Sequence, residues 1–217
     1  MNNLPANKPV ALIGYSGHGF VAADILLSAG YKVVAYCDQE QKAFNPFSLQ
    51  YLGKEGETKA IDWLRQHEYF ISIGDNSIRE KVYTSLTKEL SPPLNAIHPS
   101  AVISASVVLQ QGIFIAGGAV INPLSRLGKG VICNTRCSID HECQVDDFAH
   151  IGPGAILCGN VQVGYRSFIG AGSVVRQGTR IGKNVIIGAG SVIVKDVPDN
   201  VIIAGNPPKE LTKKIKQ

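Results

Sequence analysis

Apolar positions recur every six residues over the second half of the chain. Of every sixth residue from 103 to 193, fifteen of sixteen are Ile, Leu or Val, and Cys133 is the exception. The position two residues earlier is Ala, Val, Ser, Thr or Cys in fifteen of sixteen cases, and Ile113 is the exception. Each hexad therefore predicts one short strand followed by a turn. Sixteen such hexads in succession predict a parallel β-helix.

The outward residues of this helix fall into three columns. Three hexads form one triangular coil of about 18 residues, so residues 18 apart lie above one another. Two columns are mainly apolar and the third is mainly polar: Val102, Val120, Ser138, Ile156, Val174, Val192; Phe114, Ile132, His150, Phe168, Ile186; and Val108, Arg126, Gln144, Gln162, Arg180. Exposed apolar faces of this length are unusual on a soluble monomer, so we expect a homotrimer that buries both.

The first ninety residues follow a different pattern, in which strands alternate with helices. Apolar runs predict strands over 10–13, 32–37 and 69–73. The segments that follow the first and the last of these strands predict helices over 20–29 and 77–90. This alternation is typical of an α/β, Rossmann-like domain with a parallel sheet. Ser91-Pro92-Pro93 then breaks the chain. We therefore predict an α/β domain over residues 1–92 and a β-helix domain over residues 93–217.

Composition narrows the class of protein without naming a partner. The chain has 217 residues, a net charge of +4 and 18% charged residues, which excludes a disordered chain and gives no argument for nucleic-acid binding. The N-terminus has no apolar signal segment, and no apolar run is long enough to span a membrane. The five cysteines include no Cys-x-x-Cys pair, and Cys133, Cys137 and Cys143 match no zinc spacing. We expect free thiols, no metal and a cytoplasmic location.

Asp140-His141-Glu142 is the candidate centre for chemistry. These residues follow the buried Ile139 of their hexad, which places His141 on a turn at a corner of the prism. An imidazole flanked by carboxylates suits the removal of a proton from an attacking amine or hydroxyl. The alternative is a solvated turn histidine beside acidic residues. The pattern leaves open whether Asp140 or Glu142 orients the ring.

The glycine loop Gly14-x-x-Gly17-x-Gly19 lies between the first strand and the first helix. Such a loop presents backbone N–H groups to phosphate. It is not the dinucleotide fingerprint, because Ser16 stands where the second glycine belongs. Asp38 closes the next strand, where an acidic side chain commonly meets a ribose hydroxyl or a base. Gly74 and Asn76, at the end of a neighbouring strand, are further candidates.

Several segments together resemble a known family. The hexad run resembles the left-handed β-helix of acyl-CoA-dependent acyltransferases, and Gly205-Asn206-Pro207-Pro208-Lys209 is similar to the Gly-Asn-Pro-Ala-Lys tail of that superfamily. With Ser16-Gly17-His18-Gly19 and the segment 134–150, the chain resembles the sugar O- and N-acetyltransferases typified by the sialic-acid O-acetyltransferase and the bacillosamine-pathway UDP-amino-sugar N-acetyltransferase. The resemblance covers residues 8 to 210.

The resemblance implies a role for each candidate residue. His141 would be the general base and Glu142 its partner, while the acetyl-CoA co-substrate would meet His150, Ala171 and Ala189. The nucleotide sugar would meet Ser16, Gly17, His18, Asp38, Gly74 and Asn76. From geometry alone, Gly159 lies one coil from His141 and could offer its N–H to the thioester oxyanion. His141 and His150 are half a coil apart, so we expect them to share a site only across a subunit boundary.

We therefore expect an acetyl-CoA-dependent N-acetyltransferase of a nucleotide-linked 4-amino sugar, with UDP as the nucleotide, in bacterial surface-glycan synthesis. O-acetylation of sialic acid or another sugar hydroxyl is the alternative within the family. A β-helix that serves as a non-catalytic binding scaffold is the alternative of another class. A nicotinamide oxidoreductase is disfavoured by Ser16 and by the lack of room for a second catalytic domain.

Overall fold

The computed structural model describes residues 8–211 and divides into two compact units, with the boundary between Pro99 and Ser100. The first unit is built on a parallel sheet and the second on a β-helix. The predicted boundary after residue 92 lies earlier, at the Ser91-Pro92-Pro93 break. The difference arises because Ala96–Ile97 still lies against the first helix of the first unit.

The first unit is a parallel four-stranded sheet with helices. In chain order its elements are β1 Val10–Ile13, α1 Gly17–Ser28, β2 Val33–Cys37, β3 Gln50–Tyr51, α2 Thr58–Leu64, β4 Glu68–Ile71, α3 Asn76–Leu86 and β5 Ala96–Ile97. The strand order in the sheet is β3-β2-β1-β4, and all pairs are parallel. β1 is buried along its whole length, as the central strand of such a sheet must be.

The predicted α/β unit is confirmed, with three additions. The pattern missed β3, α2 and β5, since elements of two or seven residues are too short to show a clear period. α1 begins three residues before its predicted start, because Ser16 occupies the N-cap position directly after the glycine turn. α3 ends at Leu86 rather than at residue 90.

The second unit is a left-handed parallel β-helix of two-residue strands. They are β6 Val102–Ile103, β7 Val108–Leu109, β8 Phe114–Ile115, β9 Val120–Ile121, β10 Arg126–Leu127, β11 Ile132–Cys133, β12 Ser138–Ile139, β13 Gln144–Val145, β14 His150–Ile151, β15 Ile156–Leu157, β16 Gln162–Val163, β17 Phe168–Ile169, β18 Val174–Val175, β19 Arg180–Ile181, β20 Ile186–Ile187 and β21 Val192–Ile193. Each of the sixteen predicted aliphatic positions is the second residue of one strand. The hexad prediction is therefore confirmed in register.

Residues 18 apart pair with one another, as the coil length predicts; Ser138 pairs with Ile156 and His150 with Phe168. The strands form three faces. Face 1 contains β6, β9, β12, β15, β18 and β21; face 2 contains β8, β11, β14, β17 and β20; face 3 contains β7, β10, β13, β16 and β19. These faces reproduce the three columns read from the sequence.

The turns of the coil carry a period of their own. Every sixth residue from Gly112 to Gly190 has a positive φ, and half of these residues are not glycine. Among them is Glu142, with φ of 60°. A left-handed residue at the same place in each turn lets the chain change direction sharply while its strands stay in register.

The far end of the β-helix is closed by two further strands. β22 (Ile202–Ala204) pairs parallel to β20, and β23 (Lys209–Leu211) returns antiparallel to β22.

None of the helices within residues 8–211 has the length and apolar character that a membrane crossing requires.

The outward apolar positions of the two faces differ in exposure. On face 1, Val102 is 61% exposed and Ile156 is 42% exposed. On face 2, Phe114 and Ile132 are each 1% exposed within the single chain, and Ile186 is 42% exposed. The expectation that both faces are open in one chain is therefore wrong for the first half of face 2. Face 1 remains an exposed apolar surface.

Candidate active site

The turn that follows β12 holds His141 in a fixed backbone conformation. Asp140 Oδ1 accepts hydrogen bonds from the backbone N–H of His141 (2.8 Å) and from Asn122 Nδ2 (3.1 Å). The Asp140 carbonyl oxygen accepts from Ser125 Oγ at 2.8 Å. Asp140 therefore holds the turn rather than the imidazole ring.

Glu142 is the carboxylate that meets the ring. Its Oε2 lies 3.0 Å from His141 Nδ1, and the two side chains are 58% and 48% exposed. The left-handed backbone of Glu142 brings its side chain back beside the preceding residue. A carboxylate on Nδ1 keeps the proton of the neutral ring on that nitrogen, which leaves the lone pair of Nε2 for a substrate. The carboxylate that contacts the ring in the structure is therefore that of Glu142, whereas Asp140 contacts the backbone.

Gly159, one coil from His141, lies directly beneath its ring. A β-carbon built on Gly159 would stand 2.5 Å from His141 Nε2 and 2.6 Å from Cε1. No real β-carbon tolerates such contacts, so only glycine allows the ring to lie here. The sequence suggested Gly159 as an N–H donor, and the structure gives it this steric role as well.

His150 lies on face 2 and is 8% exposed. Its Nε2 is 3.2 Å from Asn134 Nδ2, and its ring meets the Phe168 ring edge to face at 4.9 Å between centroids. The expectation that a polar side chain in this apolar column needs a partner is confirmed. His150 and His141 belong to different faces, since His141 follows a strand of face 1.

Ala171 and Ala189 occupy equivalent exposed turns after β17 and β20. Gly190 N–H donates to the Ala171 carbonyl at 2.8 Å, which stacks the two turns. The glycines preceding them, Gly170 and Gly188, each leave no room for a β-carbon. These turns therefore form an edge of the prism from which almost no side chains protrude. An extended pantetheine chain could lie there close to the backbone.

In the first unit, three loops meet at the carboxyl ends of β1, β2 and β4. Gly14 has φ of 93°, and its carbonyl accepts from Ser72 Oγ at 2.6 Å. The backbone N–H of Tyr15 donates to Asp38 Oδ2 at 2.9 Å. Ligands of open α/β sheets bind outside the carboxyl ends of the strands, at the point where the strand order reverses. Ser16 and Gly17 are exposed beside this junction.

The Asp38 carboxylate contacts donors from other parts of the protein in addition to the glycine loop. Its Oδ1 accepts from the backbone N–H of Gln39 at 2.7 Å and lies 3.1 Å from Lys42 Nζ. With Tyr15 on Oδ2, three of about four acceptor positions of this carboxylate are used. Asp38 therefore fixes the glycine loop.

Arg79 is a site residue that the sequence did not reveal. It is 1% exposed, and its guanidinium donates to the carbonyls of Ile73 and Gly74, each at 3.0 Å, and to Asn76 Oδ1 at 2.7 Å. It thus holds the loop that contains the candidates Gly74 and Asn76. Burial lowers the pKa of Arg79 to about 9, which still leaves it charged at neutral pH. An arginine in a predicted helix is normally interpreted as a surface residue, and no periodicity of the sequence indicates that Arg79 is buried.

His18 is a further titratable group of this junction. A β-carbon on Gly74 would lie 3.9 Å from His18 Cβ, so the first turn of α1 lies near the loop that follows β4. Burial, and then the nearby Arg79 charge, lower the pKa of His18 to about 4. Both effects favour the neutral form of the His18 imidazole at pH 7.

Four of the five cysteines are buried in the interior of the fold, and Cys158 is half-buried. Cys133, Cys137 and Cys143 are buried inside the coil, and all five thiols are free. A hydrogen bond with Cys137 and burial raise the pKa of the Cys133 thiol well above its usual value. Within residues 8–211, no three His, Cys, Asp or Glu side chains converge as a metal site.

The fold and the His141 turn together define a class of protein, the hexapeptide-repeat acyltransferases. Residues 160–195 match the family described as bacterial transferase hexapeptide, and residues 9–86 match the PglD N-terminal domain. Solved structures that the chain covers almost completely are sugar acetyltransferases at more than 30% identity. The chain belongs to the sugar acetyltransferase family that combines these two domains.

Two solved structures and one curated relative illustrate this similarity. The acetyltransferase domain of PglB from Neisseria gonorrhoeae, in complex with acetyl coenzyme A, is 35% identical with a TM-score of 0.88, over 95% of this chain and 100% of that one. The perosamine N-acetyltransferase from Caulobacter crescentus, in complex with CoA and GDP-perosamine, is 36% identical with a TM-score of 0.89, over 96% of this chain and 99% of that one. That structure is of a mutant in which a histidine is replaced by asparagine.

The curated relative is the UDP-N-acetylbacillosamine N-acetyltransferase of Bacillus subtilis. It is 33% identical over 116 residues, which are 50% of this chain and 51% of that protein. The matched part spans about half the length of the curated relatives or somewhat less.

Proposed function

We propose that this protein transfers the acetyl group of acetyl-CoA to the amine of a nucleotide-linked amino sugar, in the synthesis of a bacterial surface glycan. The observation that carries the proposal is the His141–Glu142 pair on an exposed turn of a hexapeptide β-helix. The related structures with acetyl coenzyme A, or with CoA and GDP-perosamine, support both substrate classes. A non-catalytic scaffold would have no need for a carboxylate on Nδ1 of an exposed histidine.

In the proposed reaction the substrate amine attacks the thioester carbonyl carbon directly. His141 Nε2 takes one proton from the attacking nitrogen, while Glu142 stabilises the imidazolium through Nδ1. The tetrahedral intermediate then collapses, the carbon–sulfur bond breaks, and CoA leaves as a thiolate that takes the proton from the His141 imidazolium, which restores the neutral ring. The new amide and CoA thiol account for all atoms, and no acetyl-enzyme intermediate forms.

We assign the acetyl-CoA contacts to face 2 and its edge. The low edge at Ala171 and Ala189 suits the pantetheine arm, and His150 with its Asn134 partner supplies a polar contact on the same face. The backbone N–H of Gly159, next to the His141 ring, is proposed as a donor to the developing oxyanion. Loss of one oxyanion donor typically costs about 10²–10³ in kcat, so this contribution would be large.

We assign the nucleotide to the first unit, at the junction of its three loops. Ser16, Gly17 and His18 are proposed to meet the phosphates through backbone N–H groups, and Asp38 to accept from a ribose hydroxyl. Gly74 and Asn76, held by Arg79, would line the same junction. The relatives include both a UDP- and a GDP-sugar enzyme, so the nucleotide is a question for experiment.

We propose a homotrimer in which face 1 of each chain packs against a neighbour. The support is the exposed apolar column that includes Val102 and Ile156. A mass by light scattering of three chains at micromolar concentration is expected, and a mass of one chain would overturn the assembly. We place the protein in the cytoplasm, where five free thiols stay reduced.

A substrate screen tests the proposed function. The full chain is incubated with acetyl-CoA and UDP-, GDP-, dTDP- and CMP-linked amino sugars, with sialic acid as an O-acetylation arm, and the products are read by mass spectrometry. A gain of one acetyl group on the amine of a nucleotide sugar is expected. Acetylation of sialic acid alone would favour the O-acetyltransferase, and no transfer to any member would support the scaffold.

A further inference from the structure

Phe44 is the most exposed large apolar side chain of residues 8–211. It is 70% exposed, whereas the other described aromatic side chains of the first unit are buried or half-buried. It lies in the loop 38–49 between β2 and β3, next to the junction assigned above to the nucleotide. A single exposed apolar residue is common on proteins, so its surroundings decide whether it has a role.

The loop that carries Phe44 is held from three sides. Tyr15 Oη donates to Asn45 Oδ1 at 2.9 Å and accepts from the backbone N–H of Phe47 at 3.3 Å. Asn45 Nδ2 donates to the Leu49 carbonyl at 2.8 Å. Lys42 N–H donates to Tyr36 Oη at 2.9 Å. Phe44 thus sits in a loop fixed by buried tyrosines, which reduces the conformational entropy lost on binding a ligand.

The contact that orients the Phe44 ring is an edge contact. Its centroid lies 5.7 Å from that of Phe20 at an interplanar angle of 82°, and Phe20 meets Tyr15 in the same way at 5.0 Å and 87°. Phe20 follows the glycine loop in the first turn of α1. The row of rings therefore links Phe44 to Tyr15 of that loop.

We propose that Phe44 is the stacking platform for the nucleobase of the substrate. A planar, apolar, fixed ring that is open to solvent suits a base, since every base has a π-face and stacking tolerates both pyrimidines and purines. The sugar and the phosphates offer no such face. This inference rests on the proposed function, since it takes the nucleotide-linked substrate from there and adds the side chain that binds its base.

The test is calorimetric binding of UDP, GDP, dTDP and CMP to the full chain and to three variants of Phe44. Phe44→Ala is expected to weaken the nucleotide that binds wild type by about tenfold to a hundredfold, as loss of one base–aromatic stack does. Phe44→Tyr and Phe44→Trp, which keep an aromatic face, are expected to stay within about threefold of wild type. Binding of acetyl-CoA by each variant should equal that of wild type.

Leu27→Ala is the matched control, because Leu27 is a 43% exposed apolar side chain on α1 without an aromatic face. It should leave the Kd for the nucleotides unchanged. Fluorescence of Trp63, the single tryptophan, checks that the first unit of each variant is folded. If Phe44→Ala is unfolded, Phe44→Leu keeps the apolar contact without the π-face and is expected to show the same loss.

Wild-type affinity of a folded Phe44→Ala or Phe44→Leu for the nucleotide would overturn the inference and leave the proposed function intact. Nucleotide binding that depends on Phe44, without acetyl transfer to any amino sugar, would overturn the proposed function and leave the inference standing. Binding of acetyl-CoA but of none of the four nucleotides by wild type would overturn both.

Discussion

The His141 imidazole lies on the bare α-carbon of Gly159, one coil away, where a β-carbon would come within 2.5 Å of Nε2. The ring that we assign as general base thus packs against a residue that has no side chain. This packing and the contact of Glu142 with Nδ1 together fix the direction of the Nε2 lone pair. This places the proposed base by packing on one side and by a hydrogen bond on the other.

Gly159→Ala is therefore expected to displace the ring and lower kcat by about tenfold to a hundredfold, because misplacement of a catalytic group by about 1 Å has effects of that size. Because alanine keeps the backbone N–H, the loss of activity would come from the displaced ring and not from loss of the oxyanion donor. Steady-state kinetics measure it. Gly56→Ala, where a β-carbon meets nothing within 4 Å, is the control and should be silent. Unchanged kcat in Gly159→Ala would mean that the ring does not need this position.

Glu142 and Asp140 are expected to fail in different ways. Glu142→Gln removes the charge that stabilises the imidazolium, and it should reduce kcat about tenfold or more without changing thermal stability. Asp140→Ala removes two hydrogen bonds of the turn and should cost about 1–2 kcal/mol of stability in addition to activity. Kinetics and thermal unfolding of both variants provide the comparison. Equal loss of stability in both would contradict the separation of their roles.

His18 predicts a pH dependence of the stability of the first unit. Its pKa is about 4 in the folded protein, below the value of about 6.5 expected when unfolded. Between these values the unfolded chain binds a proton that the folded chain does not, so the His18 contribution is present above pH 6.5 and is lost as pH falls toward 4. The loss should be about 1–3 kcal/mol. Urea unfolding followed by Trp63 fluorescence at pH 7 and pH 4.5 measures it.

His18→Gln should flatten this pH dependence, since glutamine does not titrate in the range. The matched control is His67→Gln, in the same unit but with its ring stacked on Trp63 at 3.9 Å; its unfolding is therefore followed by circular dichroism. A slope that persists in His18→Gln would assign the effect to other groups.

The sequence predicted the β-helix in register because each hexad encodes one strand and repeats the same requirement sixteen times. It predicted His141 and Glu142 as candidates because acidic neighbours of a turn histidine are visible in the sequence. It could not distinguish Asp140 from Glu142, since that depends on the left-handed turn at Glu142. Arg79 and Phe44 escaped for the same reason: what each does follows from tertiary contacts that have no period.

His141 and His150 lie on different faces, and the proposed trimer predicts that a site combining them draws on two chains. His141→Ala and His150→Ala chains should each be nearly inactive, yet co-refolded mixtures should show activity clearly above either parent. Some mixed trimers would then contain a site with both histidines intact. Mixtures never unfolded together are the control and should stay inactive.

Two results bear on this interpretation. His150→Ala must be severely impaired by itself, because a mild effect would show that the histidine only stabilises the fold. No recovery in mixtures, with mixed trimers verified by native mass spectrometry, would place the two histidines in separate roles.

The central claim is that His141 removes the proton of the attacking amine. Its most direct test is the steady-state rate of acetyl transfer from acetyl-CoA to the amino sugar that the screen identifies, for wild type and for His141→Ala. We predict that kcat falls by about 10²–10⁴-fold, as loss of a general base does, while the KM of both substrates and the thermal stability change little. A His141→Ala enzyme that turns over within about threefold of wild type would contradict the account.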